Sequence, residues 1–246
     1  MIYVYVIVLG LVQGLTEFLP VSSSGHLILL ENLFDKPSLF FNVMLHFATL
    51  MSIMFVMRKR IKELIVRPLN KTNAFIIVST VPTGILAFIF KTKLPEVLDG
   101  AILPFGFLLT SVFLIMPKIY EDRPLDKKTS FIAGIAQGLA VLPGLSRSGT
   151  VISTMHTLGT PDTQNVEFAF LMSVPVIIGS TAVELVTAPK IYISDPVPIL
   201  IGMAVAFISG VFALKFMLTR LNRKKIVYFA PYTFILSALA FVSAQL

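Results

Sequence analysis

Gly10-Leu-Val-Gln-Gly-Leu-Thr-Glu-Phe-Leu-Pro-Val-Ser-Ser-Ser-Gly-His-Leu-Ile28 returns, altered, as Gly134-Ile-Ala-Gln-Gly-Leu-Ala-Val-Leu-Pro-Gly-Leu-Ser-Arg-Ser-Gly-Thr-Val-Ile152. The two stretches align without a gap at an offset of 124, close to half of the 246 residues, and 8 of 19 positions are identical. A duplication of this kind in a very apolar chain marks a membrane fold built from two repeats, with its site where they meet. The sequence therefore reads as a single membrane domain, 1–246, with internal repeats over about 1–117 and 125–246. The copies differ in their reactive side chains: the first carries Glu17 and His26, the second Arg147.

Composition sets the class. Hydrophobic residues make up 56% of the chain and charged residues 13%, with a mean hydropathy of +0.88. Soluble domains carry about 25% charged residues, so the chain reads as an integral membrane protein. The net charge of +7 would suggest nucleic acid in a soluble protein. Here the basic residues cluster beside apolar segments, which points to membrane orientation and anionic lipid headgroups, with no nucleic-acid partner. Cysteine is absent, which excludes disulfides and thiolate chemistry. The N-terminus lacks the basic start of a cleaved signal peptide and is expected to stay in the mature protein.

Six apolar segments are long enough to cross a bilayer: 38–57, 73–90, 101–116, 165–186, 197–218 and 226–246. The repeat copies lie outside this set. Each starts as an apolar run, breaks at Pro, Ser and Gly, and resumes as a second short run. Broken helices are tolerated at membrane depth where protein or a wet cavity surrounds them. Both copies are therefore expected as re-entrant hairpins, although residues 2–19 would also suffice for a plain crossing. The expected architecture is all-α: six transmembrane helices plus two re-entrant hairpins.

Charge supports the hairpins. Arg58, Lys59, Arg60, Lys62, Arg67 and Lys71 lie between the first two spans. Lys118, Arg123, Lys127 and Lys128 precede the second hairpin, and Arg220, Arg223, Lys224 and Lys225 separate the last two spans. If hairpins return to their own side, all of these share one face, leaving Lys36, Lys91, Lys93 and Lys190 opposite. The basic face is then cytoplasmic and both termini are outside. Three spans separate the copies, so the hairpins enter from opposite faces as an inverted-topology repeat.

At the first break, Gln13 and Glu17 share a helix face, and Pro20 ends the helix by forcing Leu19 out of helical geometry. Ser22, Ser23 and Ser24 precede Gly25 and His26. Serines in such positions cap helices, and a helix N-terminus offers N–H groups and positive dipole to anions. The second break offers Pro143-Gly144, then Ser146, Arg147, Ser148, Gly149 and Thr150. Two facing N-termini would cradle an anion around Arg147, whose planar fork suits phosphate. Glu17 and His26 stand opposite as metal ligand, general base or general acid. His46, in the first span, is expected as a satisfied interior histidine, and no role is expected for His156. Glu167 is expected to orient Arg147 or the second hairpin, or to stabilise its own helix N-terminus.

Gln-x-x-x-Glu, Pro-x-Ser-Ser-Ser-Gly-His and Pro-Gly-x-Ser-Arg-Ser-Gly, together with Phe41-Asn-Val-Met-Leu-His-Phe-Ala and Glu167-Phe-Ala-Phe-Leu-Met-Ser-Val-Pro, resemble the undecaprenyl-diphosphatase (bacitracin-resistance) family over essentially the whole chain. The resemblance implies a bacterial multi-pass plasma-membrane enzyme. Its implied reaction is hydrolysis of undecaprenyl diphosphate to the monophosphate, which recycles the carrier lipid of peptidoglycan synthesis. It also implies a divalent cation, Mg²⁺ or Ca²⁺, and an active site open to the outer face. Carried over residue by residue, the catalytic set is Glu17, Ser23, His26 and Arg147. Ser22, Ser24, Ser146, Ser148, Gly149 and Thr150 line the substrate, and Glu17 with Gln13 would hold the metal. Many relatives have a glutamate where this chain has Gln13, which puts a two-carboxylate metal site in question. Inverted repeats with broken helices are also the architecture of transporters, so a polyprenyl-phosphate flippase is the competing expectation. Monomer and homodimer both stay open.

Overall fold

Proline, glycine and serine cut a strongly helix-forming chain into the segments of the structure. The structure is a computed structural model that describes residues 2–31, 39–95, 102–117, 122–187 and 196–243. Lys36, Lys118 and Lys190 of the charge pattern lie outside the described residues. In chain order the elements are α1 (Ile2–Phe18), α2 (Ser23–Glu31), α3 (Leu39–Val56), α4 (Arg58–Val66), α5 (Lys71–Lys93) and α6 (Leu103–Ile115). They continue with α7 (Lys127–Leu139), α8 (Arg147–Thr157), α9 (Asp162–Thr187), α10 (Val197–Arg220), a 3-10 turn (Ile226–Phe229) and α11 (Ala230–Ser243). Every described element is helical.

The helices α5, α9 and α10, and α11 with the turn before it, are long and apolar enough to cross a membrane. A fifth candidate is α3 with α4, bent by 79° at Met57. Bulky apolar side chains point outward from these helices, among them Phe88, Phe212, Phe234 and Val242, each more than half exposed. Water would penalise such a surface and lipid would not, so this is a multi-pass membrane protein. The expected third span is shorter than anticipated. With 13 residues, α6 reaches about 20 Å against a hydrocarbon core of about 30 Å. Pro104 fixes its start. At the other break-bearing end, Asp126 caps α7 by accepting the Thr129 N–H at 2.7 Å.

Small residues decide the packing. Gly10 and Gly14 let α1 lie against Gly202 and Ala206 of α10, so closely that a Cβ on Gly10 would meet the Gly202 carbonyl oxygen at 2.5 Å. Gly134 and Gly138 let α7 lie in the same way against Ser79 and Thr83 of α5. Close backbone approach replaces the hydrophobic drive that lipid removes. Each break-bearing helix thus packs on a long helix of the other half. Thr83 Oγ1 seals one of these contacts by donating to the Gly134 carbonyl at 2.8 Å. Around them α3 packs on α9 and α10, and α6 on α11.

Two polar expectations change. Glu167 reaches neither Arg147 nor the second break; its carboxylate accepts from Arg60 Nε at 2.7 Å, tying α4 to α9. His156 is fully buried, with Nε2 2.9 Å from Asp162 Oδ1. It joins the end of α8 to the start of α9.

Candidate active site

The two breaks are built by related means. In the first, α1 ends at Phe18, Pro20 follows, and Ser22 adopts φ of 70°. That left-handed conformation costs a non-glycine residue about 1–2 kcal/mol. It turns the chain so that Ser23, the first residue of α2, comes back over Glu17. In the second break the left-handed position falls to Gly144, φ 84°. Its carbonyl accepts from Thr110 Oγ1 at 2.9 Å, and the Thr110 hydroxyl oxygen in turn accepts the Ser146 N–H at 2.8 Å. A hydroxyl of α6 thus satisfies backbone that the broken helix cannot.

Both following helices carry the expected serine caps. Ser22 Oγ accepts the Gly25 N–H at 3.3 Å, and Ser146 Oγ accepts the Gly149 N–H at 3.1 Å. The second hydroxyl of each motif, Ser24 and Ser148, lies 3.3 and 3.4 Å from its cap. The breaks also touch each other reciprocally. A Cβ on Gly25 would stand 3.1 Å from Gly144 Cα, and one on Gly149 would stand 3.2 Å from Pro20 Cβ. Ser148 Oγ completes the seam by donating to the Leu19 carbonyl at 3.0 Å.

Glu17 is the centre of this seam, buried on α1. Arg147 Nη2 pairs with its Oε1. Ser23 Oγ donates to Oε2 at 2.6 Å and Gln13 Nε2 donates to the same oxygen at 3.0 Å. Ser23 and Arg147 are equivalent positions of the repeat, each the first residue of its helix, and both converge on this one carboxylate. A cleft lined by Glu17, Arg147, Ser148, Phe18, Ile53 and Phe170 reaches the pair. The arrangement joins a hydroxyl on a base, a permanent cation and two helix N-termini, a set able to hold and attack a phosphate ester.

The remaining expected residues divide. His26 does not touch Glu17 or Ser23. Its Nδ1 donates to the Ser22 carbonyl at 2.7 Å, which leaves Nε2 as acceptor for the Tyr232 hydroxyl at 2.7 Å. Its ring also stacks on Tyr232. Thr150 is fully buried, and its hydroxyl faces packed protein. His46 is the residue that sequence reasoning passed over. Its Nδ1 lies 3.0 Å from Gln13 Nε2 and 3.5 Å from Glu17 Oε2. The one signal in the sequence was an ionisable group inside an apolar span.

Gln13 Oε1 is buried and has no hydrogen-bond partner. Beside the Glu17 carboxylate it is a hard oxygen donor suited to a divalent cation. Among the described residues no three His, Cys, Asp or Glu side chains form a metal cluster, so the remaining ligands would come from water or substrate.

A family model described as bacitracin resistance protein BacA matches residues 6–239. A protein named undecaprenyl-diphosphatase from Christiangramia forsetii is 40% identical, over 97% of this chain and 98% of its own length. Proteins of the same name from Carboxydothermus hydrogenoformans and Treponema denticola are each 36% identical, over 94% and 92% of this chain and 93% and 91% of their own lengths. With the model spanning nearly all of the sequence and such relatives aligned end to end, the chain belongs to the bacitracin resistance protein BacA family.

Proposed function

We propose that this protein is an undecaprenyl-diphosphate phosphatase: it hydrolyses undecaprenyl diphosphate to undecaprenyl phosphate and inorganic phosphate. That reaction recycles the carrier lipid of cell-wall synthesis and confers bacitracin resistance. The observation that carries the reading is the meeting of Ser23 and Arg147 on Glu17 at the contact of the two breaks.

Arg147 and the N-termini of α2 and α8 take the charge of the diphosphate. Glu17 accepts the Ser23 proton across the 2.6 Å contact, and Ser23 Oγ, or a water in its place, attacks the terminal phosphorus. The bridging P–O bond breaks and the lipid monophosphate departs; where Ser23 is the nucleophile, a water then attacks the phosphoserine, breaking its Oγ–P bond to release inorganic phosphate and restore the Ser23 hydroxyl. The proton Glu17 has taken passes to the departing oxygen, and His26, held between the Ser22 carbonyl and the Tyr232 hydroxyl, orients the start of α2 beside the phosphates. Phosphoryl transfer needs positioning and charge stabilisation above all, and this small set supplies both. Mg²⁺ or Ca²⁺ held by Glu17 and Gln13 would add charge neutralisation at the phosphates. Ser148 lines the approach, while Ser22 and Ser146 cap the helices whose N–H groups face the phosphates and Ser24 stands beside Ser22.

The two halves are inverted repeats: six crossing segments and two re-entrant hairpins, with both termini and the site mouth on the outer face. The swapped pairing of α1 with α10 and α7 with α5 supports this arrangement. The test is phosphate release from undecaprenyl diphosphate by purified protein, with and without EDTA. Release that EDTA stops and added Mg²⁺ restores is expected; no release from the metal-loaded protein would refute the reading.

A further inference from the structure

The structure assigns His46 to one donor set with Glu17 and Gln13, as a direct nitrogen ligand of the divalent cation; this rests on the phosphatase reading of the site. His46 lies on α3 and faces α1. Its Nδ1 is 3.0 Å from Gln13 Nε2, and an amide N–H can only donate. Nδ1 therefore presents its lone pair, and the ring proton sits on Nε2. Glu17 Oε2, also an acceptor, lies 3.5 Å from the same nitrogen.

Two acceptors aimed at one centre repel unless something electropositive lies between them. Here the Gln13 amide NH₂ fills that place, at 3.0 Å from each. Nitrogen and oxygen ligands held ~2.1 Å from one ion stand about 3.0–3.4 Å apart, close to the separation found. Rotating the amide by half a turn brings Gln13 Oε1 to the same place, and that oxygen is buried with no partner of its own. With that oxygen turned inward, three donors surround one point about 2 Å from each, where a cation would sit. Carboxylate, amide oxygen and neutral imidazole form a softer set than oxygens alone. Such a set favours Mn²⁺ over Mg²⁺ and Ca²⁺. Arg147, released from Glu17 as the cation takes over its neutralisation, is then available to phosphate.

The test uses Mn²⁺ as probe on the purified full-length chain. Pulsed electron paramagnetic resonance is expected to show the ¹⁴N coupling of a directly bound imidazole. That coupling should vanish in His46→Gln and persist in His26→Gln. Mn²⁺ affinity should fall at least about tenfold in His46→Gln, and rise in Gln13→Glu, which adds a carboxylate at the same place. No nitrogen coupling in the wild-type protein, or coupling that survives in His46→Gln, overturns the assignment. Phosphate release separates this from the parent reading. Release without nitrogen coupling removes His46 and leaves the phosphatase, whereas coupling without release supports the ligand set and removes the phosphatase.

Discussion

Burying the Glu17 carboxylate in an apolar bundle is costly unless its oxygens are met. Arg147 meets one oxygen, and Ser23 and Gln13 meet the other. Ser23 carries the sharper chemical claim, because a cap would need only the Ser22 hydroxyl, which already serves that role. Ser23→Ala should therefore lower phosphate release by about 10²-fold or more with little change in thermal stability. An unchanged rate would transfer the attack to water. Glu17 and Arg147 were legible in the sequence because charge within membrane depth is expensive and so stands out. His46 was equally ionisable, but its partners lie 29 and 33 positions away on another helix, and no local spacing reveals them. The involvement of Tyr232 with His26, 206 positions apart, was hidden for the same reason.

Among the elements, the breaks followed from Pro20, Pro143 and the serine clusters, whose local preferences already forbid a continuous helix. The left-handed turn at Ser22 did not follow, since tertiary contacts impose it against the residue's own preference. Nor did the shortness of α6: its apolar stretch is long enough, and Pro104 together with the packing of Gly106 against Pro143 and Gly144 sets its limits. The glycines along α1 and α7 give the clearest test of packing. Gly134→Leu would drive a side chain into the Ser79 backbone and Pro82 and should cost about 1–3 kcal/mol or more. Gly84→Ala, with nothing within 4 Å of its Cβ, should be neutral or stabilising. Thermal unfolding of the purified variants compares the two; equal melting would contradict the described contact of α5 and α7.

For the molecule as a whole, the sequence conveyed duplication and membrane residence, since an offset and a composition need no coordinates. Which helix pairs with which was not legible. The exchange of partners between halves depends on close approach at Gly10, Gly14, Gly134 and Gly138, and a glycine does not name its neighbour. The same exchange holds the two breaks together. Because the chain has no cysteine, Pro20→Cys with Gly149→Cys gives a clean probe of that seam. The Cβ positions stand 3.2 Å apart, near the ~3.8 Å of a disulfide. Oxidation should form an internal cross-link, visible as loss of both free thiols without dimer formation. Thiols that stay free under oxidant would separate the breaks.

The most direct measurement combines this geometry with its chemistry: phosphate release from undecaprenyl diphosphate by folded Glu17→Gln and Arg147→Ala proteins. One side chain comes from each half, and both act on the same phosphate. Each variant should lose activity by about 10³-fold, and Arg147→Ala, which leaves the buried Glu17 carboxylate without its cation, should also unfold at a lower temperature while still folding. If either variant keeps a rate within tenfold of the parent, the site does not lie where the two breaks meet.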